Sequence, residues 1–137
     1  MTREDILAKV KSLNLPENSF IVFGSGPLAA LGIREVNDID LLVSKELREQ
    51  LKKAGWEEQY KGPDDTPIAW GDFEAHDNWN FSPYAPTFRE LLSRATVIEG
   101  VPFASIEDVR KWKDASRRGN KDVTDIQLID QYLEKTE

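Results

Sequence analysis

Residues 20–43 read FIVFGSGPLAALGIREVNDIDLLV, and the order of apolar runs, glycines and acids in this stretch decides the fold. Phe20 to Phe23 is a continuous apolar run, the pattern of a buried strand. Gly24-Ser25-Gly26 turns the chain. Pro27 suits a first helical position, Leu28 to Leu31 continue the helix, and Gly32 ends it. Asp38 then precedes a second apolar strand, Ile39 to Val43. A period of two puts the side chains of Asp38 and Asp40 on one face of the sheet and sends Ile39 to the other, into the core.

Outward from this stretch the chain alternates in type. Upstream, Asp5 to Leu13 predicts a helix with Ile6, Leu7, Val10 and Leu13 on one stripe. Thr2 and Asp5 have capping-box spacing at its start, and Pro16 stops it. Downstream, Ser44 caps a helix from Lys45 to Ala54 that Gly55 closes. Trp56 to Tyr60, Ile68 to Trp70 and Asp72 to Trp79 read as strands, with a turn at Lys61 to Thr66 and Gly71 between the last two. Pro83 and Pro86 break the chain. Thr87 to Ser93 is a short helix, Ala95 to Ile98 a strand and Glu99-Gly100 a turn. Ser105 and Asp108 form another capping box, opening a helix to about Ser116. A last amphipathic helix runs from Lys121 to Glu134. The expected class is α/β (α+β): a small mixed sheet flanked by helices in one compact domain spanning residues 1–137.

Bulk properties narrow the chemistry. The chain of 137 residues fits one domain. It has no cysteine, which excludes a disulfide framework and thiolate metal sites, and its one histidine, His76, excludes a His-rich zinc site. Any metal is expected to be held mainly by oxygen, which favours magnesium or manganese. A net charge of −7 argues against an extended nucleic-acid surface. The segment Arg110 to Lys121 is nonetheless locally basic, enough for a small polyanion such as a triphosphate. Met1 to Ser12 is neither a signal peptide nor an anchor, and no stretch approaches transmembrane length, so the expected location is the cytoplasm.

A strand entering a glycine turn that opens a helix can cradle phosphate on backbone N–H groups. By itself the turn reads first as a plain strand–helix connection, since it lacks the Gly-Lys-Ser/Thr of a Walker loop and the third glycine of a dinucleotide fingerprint. Two aspartates side by side on a strand repel each other, and a divalent cation is the usual remedy. By themselves they read equally as a strand-start cap and an exposed acid. A third acid should stand on a neighbouring strand. Glu74, flanked by Phe73 and Ala75, fits best, with Asp72 the alternative and Asp77 behind both. It would serve as a metal ligand or as a general base. His76 shares the predicted face and reads foremost as a half-buried polar residue, with contact to a nucleotide or acceptor the alternative. Trp79 is a candidate for stacking on a base or an acceptor, although core or rim packing is the expected fate of most of the four tryptophans.

Taken together, Gly24-Ser25 followed by Asp38-Ile39-Asp40 with a hydrophobic residue after it resembles the signature of the polymerase-beta-like nucleotidyltransferase superfamily. The chain looks like its small stand-alone prokaryotic members, relatives of the aminoglycoside and lincosamide nucleotidyltransferases. The resemblance is strong over residues 20–43 and looser elsewhere. It implies that Gly24 and Ser25 hold a triphosphate, that Asp38 and Asp40 bind magnesium, and that a third carboxylate completes the site. Ser105 to Val109, then Lys113, Arg117 and Lys121-Asp122-Val123-Thr124-Asp125, resembles the carboxy-terminal part of the same proteins. That implies β- and γ-phosphate contacts from Lys113 and Lys121, with Asp122 orienting a lysine or its own helix start. Arg34, in the loop before the aspartates, is a further candidate for reaching a phosphate, with plain exposure the alternative. Lys111 and Arg118 read as solvated.

The expected activity is magnesium-dependent transfer of a nucleoside monophosphate, with ATP among the candidate donors, from an NTP to a hydroxyl acceptor, small molecule or macromolecule, releasing pyrophosphate. Manganese would substitute. The rival reading is a non-catalytic nucleotide-binding or toxin–antitoxin/defence module that keeps the fold. A homodimer or partner protein would supply the acceptor-gripping wall for which so short a chain has little room.

Overall fold

A computed structural model of the chain describes residues 1–116 and 119–136. Helix α1 (Arg3–Ser12) starts at a capping box. The Asp5 amide donates to Thr2 Oγ1 at 3.3 Å, and the Thr2 amide donates to the Asp5 carboxylate at 2.9 Å. Its apolar stripe buries Ile6, Leu7 and Val10, each contributing about 1.5–3 kcal/mol relative to exposure. Strand β1 (Phe20–Phe23) leads through Gly24-Ser25 into the short helix α2 (Gly26–Ala30), and strand β2 is Ile39–Val43. Helix α3 (Lys45–Lys53) opens where Ser44 Oγ accepts the Leu47 amide at 3.1 Å.

Strands β3 (Glu57–Glu58), β4 (Ile68–Trp70) and β5 (Phe73–His76) follow. Then come helix α4 (Phe88–Arg94), strands β6 (Thr96–Ile98) and β7 (Val101–Phe103), and helices α5 (Ile106–Ser116) and α6 (Asn120–Thr136). Among the described residues the strands form one mixed sheet of seven in the order β3-β4-β5-β2-β1-β7-β6. The β1–β2 pair is antiparallel, whereas β2–β5 and β1–β7 are parallel.

Alternation along the central strands sorts the core onto two faces. Phe20, Val22, Ile39, Leu41, Val43, Phe73 and Ala75 pack with α1 and α3 on one side. Ile21, Phe23 and Leu42 pack with Trp79, Leu91 of α4, Val109 and Trp112 of α5 and Ile129 of α6 on the other. The α/β class is therefore as the periodicity predicts.

Local boundaries differ for physical reasons. The expected strand over Trp56 to Tyr60 is only two residues long, because Trp56 turns into the core and Tyr60 lies exposed in the hairpin. The strand expected over Asp72 to Trp79 is confined to Phe73–His76. Gly71, at φ +56°, makes the turn before it, and Trp79 leaves the sheet to pack underneath. Strand β7 is an addition to the sequence reading. Three residues with a central proline carry little strand signal, but the Ala104 amide reaches Val22 O at 2.9 Å and anchors the segment beside β1.

Candidate active site

Asp40 stands in the middle of the sheet, where three strands meet. Its register partner on β1 is Phe23, the last residue before the glycine turn, and its partner on β5 is Glu74. Parallel pairing in register puts both carboxyl groups on the same face, and His76, two residues past Glu74, joins them. One ligand atom each from Asp40, Glu74 and His76 lies within 4.8 Å of the others. His76 Nε2 is 3.0 Å from Glu74 Oε1 and 4.0 Å from Asp40 Oδ1. All three are half-buried, with side chains 24%, 26% and 18% exposed in that order.

Burial pushes the His76 imidazole below its ordinary range, against the opposing pull of Glu74 and Asp65, so the ring is held toward its neutral form. Two carboxylates and a neutral imidazole, each half-buried and converging within 4.8 Å, suit a small divalent cation. The oxygens favour magnesium, and the ring nitrogen is better tolerated by manganese. Lys61, from the hairpin between β3 and β4, already meets Glu74 Oε1 at 2.7 Å.

Gly24 explains why the turn is glycine. Its φ is +58°, and a Cβ there would fall 2.2 Å from Asp40 Oδ2. The turn and the strand carboxylate therefore share one small space.

The other sequence-predicted acids lie elsewhere. Asp38 is exposed on the residue before β2, outside the three-residue group, and its charge acts on Arg34. Asp72 is drawn to the α1 side, where it pairs with Lys9 at 3.1 Å. Asp77 is exposed and accepts from Asn78 Nδ2 at 3.3 Å. His76 is the member that the sequence reading set aside. The signal for it was present in the same alternation that selected Glu74.

Beside the carboxylates lies a second cluster, of cations around Ser25. The Ser25 hydroxyl does not cap α2. It accepts instead from Arg34 Nη2 at 3.1 Å and from Lys113 Nζ at 3.3 Å. Lys113 is fully buried and reaches Asp125 Oδ2 at 2.8 Å and Asp122 Oδ1 at 3.5 Å. Arg34 grips the same Asp125 with two bonds of 2.8 Å. The motif in which Lys113 precedes Asp122 and Asp125 thus folds back onto the Gly-Ser turn.

The rest of the basic segment disperses. Arg110 is tied to Asp130 through bonds of 2.7 and 3.0 Å, and Lys111 and Lys121 are exposed. Lys121 sits in the first turn of α6, next to Asp122. Arg117 and Arg118 lie outside the described residues.

Trp79 is a floor rather than a stacking surface. It is 4% exposed, lies parallel to Phe23 at 4.4 Å, and meets His76 edge-on at 4.9 Å.

The fold around these groups is of nucleotidyltransferase type. It is similar to that of ANT(2'')-Ia, solved as a crystal structure in complex with adenylyl-2''-tobramycin: the TM-score is 0.56 at 20% identity, over 93% of this chain and 85% of that one. A solution structure of the antibiotic-resistance factor ANT(2'')-Ia matches with a TM-score of 0.54 at 20% identity, over 95% of this chain and 81% of that one. No protein-family model and no curated protein matches the sequence. Among the described residues no helix is long and apolar enough to cross a membrane.

Proposed function

We propose that the chain is a divalent-metal-dependent nucleotidyltransferase. The observation that carries this reading is the register of Asp40 with Glu74 directly against the Gly24-Ser25 turn. It puts a cation-demanding carboxylate pair next to a turn backed by two cationic side chains. Asp40 and Glu74, with His76 beside them and Asp38 at the mouth of the strand, would hold the magnesium or manganese. When bound, that ion supplies charge neutralisation and alignment at the α-phosphate.

The chain's own residues do the remaining work. Gly24 and Ser25 receive the triphosphate of an NTP, ATP being the donor to test first. Lys113 supplies positive charge from behind Ser25, and Lys121 adds charge from the start of α6. An acceptor hydroxyl attacks the α-phosphorus, its proton passing to Glu74 with His76 alongside. The new P–O bond forms as the bond to the β-phosphate oxygen breaks, and pyrophosphate leaves. Such chemistry rests on positioning and electrostatics, which these groups can supply. A hydroxylated aminosugar is the acceptor to try first, because ANT(2'')-Ia was solved with an adenylylated tobramycin. An NTP donor also favours the cytoplasm.

The test is pyrophosphate release from ATP with magnesium and a panel of hydroxyl acceptors. Wild type should turn over, and Asp40→Asn and Glu74→Gln should lose at least a hundredfold. Equal rates in wild type and Asp40→Asn would overturn the assignment. Asp38 standing outside the carboxylate group favours one other reading, a module that binds metal and nucleotide without turnover. Binding that depends on Asp40, with no pyrophosphate from any acceptor, would select it.

A further inference from the structure

The two cations at Ser25 are not equivalent. Lys113 is fully buried and committed to Asp122 and Asp125 as well as to Ser25. Arg34 lies in the loop between α2 and β2, and its side chain is 26% exposed. A guanidinium has five N–H donors. In Arg34, Nε and one Nη2 proton grip Asp125, the other Nη2 proton goes to Ser25, and one Nη1 proton goes to Glu35 O at 3.0 Å. The second Nη1 proton has no acceptor among the described residues. Arg34 is therefore a held, partly exposed cation with a spare donor at the Gly-Ser turn, electrostatically coupled to Asp38 at the entrance of the carboxylate strand.

We infer that Arg34 is the phosphate-contacting residue of this turn, and that Lys113 is a positioning residue that acts by holding the Ser25 hydroxyl. Asp125 links the two. It fixes the planar fork of Arg34 from one side and takes the buried ammonium of Lys113 on the other, so the turn is set before any anion arrives. The inference rests on the triphosphate reading of the site and adds to it a division of labour. An arginine fork, rather than a lysine, would meet two phosphate oxygens at once.

The experiment is calorimetric titration of the full chain with ATP, inorganic tripolyphosphate and adenosine in the presence of magnesium. Arg34→Gln should weaken ATP and tripolyphosphate at least tenfold and leave adenosine unchanged. Arg34→Lys should recover only part of the loss, because it restores charge without the fork. Ser25→Ala, which leaves every buried ion pair in place, should weaken tripolyphosphate less than Arg34→Gln does. The thermal midpoint of each variant separates anion binding from a purely structural bridge. If wild type binds ATP and tripolyphosphate and Arg34→Gln binds them equally well, the inference falls and the nucleotide reading stands. Equal losses of all three ligands with a lowered midpoint would reduce Arg34 to a structural bridge and likewise overturn it. A wild type that binds neither ATP nor tripolyphosphate overturns both.

Discussion

Gly24 and Asp40 compete for one space: a Cβ at position 24 would lie 2.2 Å from Asp40 Oδ2 and 2.8 Å from Asp40 Cβ. Gly24→Ala should therefore do two things. The φ of +58° becomes strained, at about 1–3 kcal/mol, and the Asp40 carboxylate is pushed off its position. Gly32→Ala is the matched control. Its φ is +72°, yet an added Cβ meets nothing within 4 Å. Both variants should unfold at lower urea, but only Gly24→Ala should also lose affinity for manganese. Equal manganese affinity in the two variants would separate the turn from the carboxylate site.

The carboxylate group makes a stability prediction that needs no substrate. A cation that binds only the folded state at one hundred times its Kd adds about 2.7 kcal/mol. Magnesium or manganese should raise the unfolding midpoint of wild type, and a chelator should reverse the rise. Asp40→Asn and Glu74→Gln should remove the increment, since both belong to the three-residue group. Asp38→Asn, at the mouth of the strand and outside that group, should remove a smaller part of it. An increment that survives in Asp40→Asn would place the ion elsewhere.

The sequence made some of this legible and not the rest, and the difference is physical. Phe20–Phe23, Gly24-Ser25 and Ile39–Val43 are read correctly because burial on both faces and a positive-φ turn leave direct marks on residue type. Glu74 is preferred over Asp72 by its apolar neighbours, and the parallel β2–β5 register pairs it with Asp40. Asp38 and Asp40 share a face by alternation only if the strand extends to both. It begins at Ile39, so Asp38 is released to solvent. The pairing of Lys113 with Ser25 joins residues 88 apart in the chain, and no local pattern encodes that distance. The same holds for Arg34 and Asp125, 91 apart. Tertiary packing of α5 and α6 makes these contacts, so the sequence could name the lysine and the Asp-x-x-Asp spacing without placing them.

Lys113 and Lys121 separate structural from solvated charge. Lys113→Met would leave Asp122 and Asp125 buried without its ammonium, and breaking a buried pair in this way costs about 3–5 kcal/mol. Lys121 is exposed, so Lys121→Met should stay within about 0.5 kcal/mol of wild type. Urea unfolding of the two variants checks the contrast. A Lys113→Met protein as stable as Lys121→Met would mean that the buried aspartates had been satisfied otherwise or protonated.

Asp108, outside the carboxylate group, sets an acid limit on the fold. It is 1% exposed and accepts from Arg94 through two bonds of 2.9 Å, from Ser105 Oγ at 2.9 Å and from Tyr84 OH at 3.0 Å. Burial raises its pKa, but these donors together outweigh burial and hold the carboxyl below the ordinary 3.8. Tyr84, half-buried against the same carboxylate, is pushed far up and stays protonated. In the unfolded chain Asp108 takes up its proton as pH falls through 3.8, whereas in the folded chain it does so only at lower pH. Between those points the unfolded state binds more protons, so stability rises with pH. The contribution is fully present above 3.8 and is lost as pH falls toward the folded value. Asp125 and Asp130, also held below 3.8, act in the same direction. Asp108→Asn should lower stability at neutral pH and flatten the dependence on pH below about 4. Tyr84→Phe, which removes one donor to the carboxylate and keeps Arg94, should cost about 1.5–3 kcal/mol. Urea midpoints measured from about pH 3 to pH 7 on the three proteins decide it, and an acid slope unchanged in Asp108→Asn would move the limit to the remaining aspartates.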